Sequence, residues 1–136
     1  MVNMKATETG SGGDVGRAVM ERFWQATEAR DLETLFKLVH PDVHVHWPQS
    51  GERFSGRDNA MAALEAAAVK PEVAGEPRLL GCGDVWVASV PLRYGSEVNH
   101  YVGVFELEDG LIRRTTEYFG APFAPNPARA GFANQE

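Results

Sequence analysis

Hydrophobic positions recur with two different periods, helical in the first half of the chain and alternating in the second. Val15, Val19, Phe23 and Ala26, widened by Met20 and Trp24, follow the helical spacing of an amphipathic segment. Asp14 is placed to cap its start, and the helix is expected to end near Arg30. Asp31 opens a second helix, with Leu32, Leu35, Phe36 and Val39 on one side. Pro41 stops it, because the residue before a proline disfavours helical geometry. Val43, Val45 and Trp47 then alternate with His44 and His46, a strand period. A short strand around Arg53 and Phe54 leads into an Ala-rich third helix that starts at Arg57, carries Asp58 near its positive end and breaks at Pro71.

Beyond residue 76 the pattern alternates. Residues 76–82, 85–94, 97–107 and 111–120 read as strands joined through Gly83-Asp84, Gly95-Ser96 and Glu108-Asp109-Gly110. The short spacers leave no room for crossover helices, so these strands are expected to be antiparallel neighbours. The order predicts an α+β fold in which three helices cover one side of a long, strongly curved antiparallel sheet. Such a bent sheet makes a cone with a natural pocket inside. Residues 1–13 hold little to bury and are expected to be disordered, 14–121 to form the domain, and 122–136 an irregular Pro-rich arm docked by Phe123 and Phe132.

A chain of 136 residues with 43% hydrophobic content suits one domain with a real core. Nineteen acidic against thirteen basic residues, a net charge of −6 and no Lys/Arg cluster argue against nucleic-acid or anionic-membrane binding. No apolar run approaches the roughly 18 residues that span a bilayer, and the first residues lack the apolar region of a secretory signal. The single cysteine, Cys82, excludes an internal disulfide and a Cys-rich zinc site; it fits a reducing, cytoplasmic setting and has no local activating partner. With no phosphate loop, dinucleotide fingerprint, nucleophile elbow or HExxH motif, no cofactor is expected.

The paired first helices ending in HPDV (40–43), the string WPQSGERFSGRDNAM (47–61) and the string GVFELEDGLIRRTTEYF (103–119) resemble the nuclear transport factor 2-like superfamily. Within it they are most similar to the SnoaL-like proteins, relatives of polyketide cyclases, ketosteroid isomerase and limonene epoxide hydrolase. The resemblance covers roughly residues 14–120. It implies the cone fold, also described as an NTF2-like or cystatin-like α+β barrel. It does not name an activity, because this fold hosts isomerases, cyclases, dehydratases, hydrolases and proteins with no known reaction.

Simple alternation along residues 111–119 groups Leu111, Arg113, Thr115, Glu117 and Phe119 on one face. The resemblance puts Glu117 where the epoxide hydrolases carry a catalytic Asp. A carboxylate in an apolar cone has a raised pKa and serves as general acid or base; the alternative is a structural acid paired with Arg93 or Arg113. The hydrolases also carry an Arg and an Asp two apart on the preceding strand, where this chain has Ser89 and Pro91. That departure argues against epoxide hydrolysis. The oxyanion donors and separate base of ketosteroid isomerase also lack counterparts.

Asn99 and Tyr101 are expected to share the pocket face with Glu117, with His100 on the outer face. Tyr101 either donates to a ligand carbonyl or fills the core. His44 and His46, two apart on a strand, either point inward, where His46 is a candidate for proton transfer, or face solvent or a subunit interface; no metal site is expected. Arg93 is either a solvated strand-end charge or a partner that neutralises a ligand carboxylate or enolate. Arg57 and Asp58 read as a helix-end ion pair. Trp24, Trp47, Phe54, Met61, Trp86 and Phe119 either line an apolar cavity or pack as ordinary core, and with Ser89, Arg93, Asn99 and Thr115 they are the ligand-binding candidates.

Together these residues point to a cofactor-independent isomerase, cyclase or dehydratase acting on a polyketide-, terpenoid- or steroid-like ligand. Glu117 would move the proton, and Tyr101, His46 or Arg93 would steady charge on oxygen. The alternatives are a non-catalytic small-molecule binder and a structural dimer. The sheet carries more apolar surface than three short helices can cover, so a homodimer through its outer face is expected.

Overall fold

A computed structural model describes residues 5–7, 13–67 and 70–134. Its elements, in chain order, are β1 (Lys5–Thr7), α1 (Gly13–Ala29), α2 (Leu32–Leu38), β2 (Val39–Trp47), β3 (Glu52–Ser55), α3 (Arg57–Glu65), β4 (Glu72–Val73), β5 (Arg78–Cys82), β6 (Val85–Tyr94), β7 (Glu97–Glu108) and β8 (Leu111–Gly120), with a 3-10 helix over Pro127–Phe132.

The helices form where local chemistry closes their ends. Arg30 takes a left-handed φ of 55°. That turn lets its N–H and that of Asp31 cap the carbonyls of Thr27 and Ala26, closing α1. Asp31 then caps α2 by accepting from the Thr34 N–H at 3.1 Å. The buried side of α2 is Leu35 and Leu38; Leu32 and Phe36 lie exposed, contrary to the simple stripe. Phe36 instead supports the Arg57 guanidinium, 3.8 Å above its ring. The expected Arg57–Asp58 pair gives way to this stacking and to a hydrogen bond from Arg57 to the Val39 carbonyl. On α1, Val15 is exposed and the buried stripe runs through Gly16, Val19, Met20 and Trp24.

The sheet has the order β1-β5-β6-β7-β8-β2-β3, with β4 also paired to β6. The β5–β8 meander is antiparallel, as its short turns require. At the β7–β8 turn, Asp109 and Gly110 both have positive φ, the type I′ geometry of a tight hairpin. Two parallel pairings correct the all-antiparallel expectation: β2 runs parallel to β8, and β1 parallel to β5. The second also corrects the reading of residues 1–13 as wholly disordered. The open edge of β5 offers unpaired backbone groups that Lys5–Thr7 fills; residues 1–4 and 8–12 lie outside the described residues.

Two irregularities set the phase of the inner face. Between Glu106 and Leu107 the β7–β8 register shifts, leaving Arg113 as an extra residue on β8. β2 shifts between Val39 and His44, around Pro41, which has no N–H to give a ladder. Arg113 ties these places together: it donates to the Asp42 carbonyl and pairs with Glu108 at 3.6 Å, while His40 approaches the same carboxylate at 3.2 Å. The shift places both Ile112 and Thr115 in the buried set and turns Arg113 away from it.

Long twisted strands curl around a core of Trp24, Trp86, Tyr101, Phe105 and Ile112, closed by α1 and α2. The C-terminal arm does not dock as expected: Phe123 and Phe132 are 87% and 92% exposed. With Asn126 capping the 3-10 helix locally, the arm satisfies its own first turn.

Gly16 shows how tightly α1 meets the sheet. A Cβ there would fall on the Gly83 carbonyl and the Trp86 indole nitrogen, which itself donates to that carbonyl at 3.0 Å. A Gly-to-Ala change inside a helix ordinarily stabilises by about 1 kcal/mol. Here Gly16→Ala is expected to lower the melting temperature by several degrees, because backbone and an interior indole must move. An unchanged or higher melting temperature in a thermal melt would refute this packing argument.

Candidate functional site

The inner face of the sheet, α1, α2 and α3 enclose a cavity of about 180 Å³. Its walls are predominantly apolar, with Trp24, Trp47, Phe54, Phe105 and Phe119 among the lining rings. Trp47 meets Phe54 at 4.8 Å and Phe119 at 5.4 Å in edge-to-face contacts, and Tyr101 bridges Trp24 and Phe119 at 5.3 Å each. The roof is α3, which lends Ala60, Met61, Ala63 and Leu64 to the cavity and has no fully buried residue of its own.

One carboxylate stands in this wall. Glu117 Oε1 accepts the Tyr101 hydroxyl at 2.5 Å. Oε2 accepts the Thr115 hydroxyl at 3.0 Å and the Trp47 indole N–H at 3.3 Å. None of the ion pairs among the described residues includes Glu117; Arg93 pairs with Glu72 and Arg113 with Glu108. Burial raises the Glu117 pKa above the ordinary carboxylate range, and the bonds from Tyr101, Thr115 and Trp47 pull it down without cancelling that shift. Burial, reinforced by the negative charge and hydrogen bond of Glu117, holds the Tyr101 phenol well above its usual pKa. The shared proton therefore belongs to the tyrosine whenever Glu117 is ionised.

Gly103 makes the central contact possible. It lies directly opposite Glu117 across the β7–β8 pair. A Cβ at Gly103 would collide with the Tyr101 hydroxyl and with Phe105 Cε1. The missing side chain opens the lane through which the Tyr101 ring reaches the carboxylate.

Of the candidates drawn from sequence, Trp24, Trp47, Phe54, Met61, Tyr101, Thr115, Glu117 and Phe119 meet at this cavity. Five do not line it. Trp86 is 0% exposed and packs under α1 at Gly16, in solid core. Ser89 and Arg93 point outward, because β6 turns Trp86, Ala88, Val90 and Leu92 inward. Arg93 is engaged with Glu72 at 3.9 Å, which corrects its assignment as a ligand-charge partner. Asn99 is absent from the lining, and its buried Oδ1 has no hydrogen-bond partner. His46 shares the face opposite Val45 and Trp47, which line the cavity, so it stands outside; His44 faces Ser55 at 3.3 Å. Among the described residues no cluster of His, Cys, Asp or Glu is placed to hold a metal ion.

Sequence reasoning passed over Tyr94, Leu92, Phe23 and Thr27, all in the lining. The signal for Tyr94 was present: Trp86, Ala88, Val90, Leu92 and Tyr94 are an unbroken apolar alternation, while Val85, Ser89 and Arg93 are exposed. No helix among the described residues is long and apolar enough to cross a membrane.

Solved structures carry the same architecture. An NTF2-like protein of unknown function from Burkholderia xenovorans LB400 is 29% identical, with a TM-score of 0.82 over 93% of this chain and 99% of that one. A ketosteroid isomerase-like protein from Kribbella flavida is 25% identical, with a TM-score of 0.84 over 93% of each chain. An M. tuberculosis epoxide hydrolase of the LEH-like type is 22% identical, with a TM-score of 0.65 over 80% of this chain and 85% of that one, a likeness of fold. No curated protein matches the chain. The SnoaL-like domain profile matches residues 20–115, from the second turn of α1 into the strand that bears Glu117, and on that match the chain belongs to the SnoaL-like family, built on the NTF2-like fold.

Proposed function

We propose that the protein is a cofactor-independent acid–base catalyst, an isomerase, cyclase or dehydratase, acting on a small, mostly apolar molecule that carries oxygen. The observation that carries this reading is the Glu117 carboxylate, set in an apolar cavity wall, held by three donors and paired with no cation among the described residues. Fixed donors orient it, and burial tunes its pKa upward, toward the range where one group both takes and returns a proton. A carboxylate offers about four lone-pair directions; three are filled, and the remaining one serves the ligand. Tyr101 is a positioning residue on this reading, since its hydroxyl is already committed to Glu117.

A dry cavity of about 150 Å³ holds one benzene ring. A cavity of about 180 Å³ therefore suits a ligand of one or two rings better than a four-ring steroid skeleton. The inward positions of β6 hold Trp86, Ala88, Val90, Leu92 and Tyr94. Without a charged partner there, the site lacks the arrangement that activates water and protonates an epoxide oxygen together.

The test is deuterium exchange into small cyclic ketones, with thermal-shift screening beside it. The wild type is expected to catalyse exchange, and Glu117→Gln to lower the rate at least about a hundredfold. Ligand-induced stabilisation without exchange would make the protein a binder, and neither effect with any ligand would leave a structural dimer.

The direction of the Glu117 shift gives a paired pH prediction. Base activity rises with pH through the raised pKa as the carboxylate ionises. Stability moves the other way. The folded state holds this proton more tightly than the unfolded chain, so its contribution is full at acid pH and lost as pH climbs through the folded pKa. Melting temperatures followed across that window should fall in the wild type and stay flatter in Glu117→Gln.

We also propose that two copies pair through the outer sheet face, where Ser89, Val102 and Tyr118 form one cross-strand row and Val85, Val102 and Tyr118 are exposed. Sedimentation is expected to show a wild-type dimer that Val102→Glu converts to monomer with its ligand site intact; a monomeric wild type would dismiss the pairing.

A further inference from the structure

We propose that Tyr94 grips the ligand's oxygen: its phenol donates the hydrogen bond that stabilises charge developing on a ligand carbonyl while Glu117 removes the proton from the adjacent carbon. The substrate is then an enolisable carbonyl compound of one or two rings. This assignment rests on the acid–base reading of Glu117 and deepens it.

All but one of the donors in the cavity wall are engaged or sealed. Seven lining residues carry a hydrogen-bonding nitrogen or oxygen in the side chain: Trp24, Thr27, Trp47, Tyr94, Tyr101, Thr115 and Glu117. The hydroxyls of Tyr101 and Thr115 and the indole N–H of Trp47 all donate to Glu117. Thr27 donates to the Phe23 carbonyl at 2.8 Å. The Trp24 N–H has no partner but is sealed within the core, where its ring stands edge-on to Tyr101. Tyr94 alone is left with a hydroxyl that is neither sealed nor hydrogen-bonded to another described residue.

Its placement suits the task. Tyr94 ends β6 on the inward phase, one residue before the left-handed Gly95. The residue is half-buried, with its ring against the cavity core. Burial, then the negative charge of Glu117, raises its pKa, so the phenol stays protonated and within electrostatic reach of the base. The two tyrosines thus divide the work. Tyr101 crosses Gly103 and fixes the carboxylate, whereas Tyr94 lines the same cavity with its hydroxyl uncommitted to any described residue.

The step balances without any further reactant. Ionised Glu117 takes the proton from the carbon beside the carbonyl. The C–H electron pair becomes the new carbon–carbon π bond, and the carbonyl π pair moves onto oxygen, where Tyr94 donates to it. Return of the proton from Glu117 to the same or another carbon regenerates the carboxylate and releases either exchanged substrate or an isomer. A preorganised donor aimed at such an oxygen contributes roughly a hundredfold or more to rate.

The experiment uses cyclohexanone and indanone as probes, with wild type, Tyr94→Phe and Glu117→Gln. Deuterium uptake by NMR gives kcat and KM, and the infrared carbonyl stretch of bound indanone reports the hydrogen bond directly. Tyr94→Phe is expected to lower kcat for exchange roughly a hundredfold with KM changed far less. The acidic limb of the pH profile should stay in place, because all three donors to Glu117 remain. The bound carbonyl stretch, lowered in the wild type, should return toward its apolar-solvent value. Wild-type exchange rates in Tyr94→Phe would overturn the assignment and leave the role of Glu117 standing. A wild-type carbonyl stretch already at the apolar-solvent value would overturn it even if the variant did not fold. Absence of exchange in the wild type would overturn the acid–base reading, and this inference with it.

Discussion

The hydrogen bond from Tyr101 to Glu117 is the contact around which the interior is organised. An ionised carboxylate in an apolar wall carries a desolvation cost of several kcal/mol unless donors replace the lost water. Here three donors come from three strands: Tyr101 on β7, Thr115 on β8 and Trp47 on β2. Because β2 joins β8 in parallel, the N-terminal half of the chain supplies part of the anion's coordination to the C-terminal half. The site therefore exists only once the sheet has closed around it. Gly103 is the local condition for this arrangement, since any side chain there would occupy the Tyr101 lane.

The bulge on β8 is the second constraint. A one-residue slip turns every following side chain to the other face of a sheet. Ile112 belongs to the buried core near the hairpin, and Thr115 and Glu117 must face the cavity further on. Strict alternation cannot put both sets inside, because 112 and 115 have opposite parity. Leaving Arg113 unpaired resolves the conflict, and its bonds to Asp42 and Glu108 hold the surplus residue at the surface. The bend at Pro41 in β2 lies at the same level, so the two adjacent strands curve together around the cone.

This history of phase explains what the sequence could reveal. The meander strands, their turns and the α2 cap were legible because each depends on neighbours within a few residues. Thr115, Glu117 and Phe119 share the cavity face because alternation is regular beyond the bulge, and Tyr101 joins them from β7, opposite Phe119. Arg113 was grouped with them wrongly, since a bulge leaves no mark in a period-two pattern. Ser89 and Arg93 were misplaced for another reason: the alignment of polar residues was followed over the apolar alternation from Trp86 to Tyr94. The parallel partners of β5 and β8 were illegible because they join segments far apart in sequence. Trp86 looked like a cavity ring by its size alone, but a residue's type does not say whether the space beside it is filled.

The composition of the inner face narrows what proposed chemistry the cavity can support. Reactions that add water across a bond need one group to deprotonate the nucleophile and another, at the same moment, to protonate the leaving oxygen. A single ionisable carboxylate whose neighbours are neutral phenols, a threonine and indoles meets the first requirement only. It is suited to sequential work, in which one proton leaves carbon, waits on Glu117 and returns elsewhere. Enolisation, double-bond migration and elimination toward a conjugated product share that form, and each moves negative charge onto an oxygen that a fixed donor can hold. The raised carboxylate pKa helps such a cycle, because a group that binds its proton too weakly takes it slowly, and one that binds it too strongly returns it slowly. The same burial that sets this balance also makes the ionised state the less stable one. On the proposed reading, the stability lost when Glu117 ionises is inseparable from the reactivity that the ionised group provides.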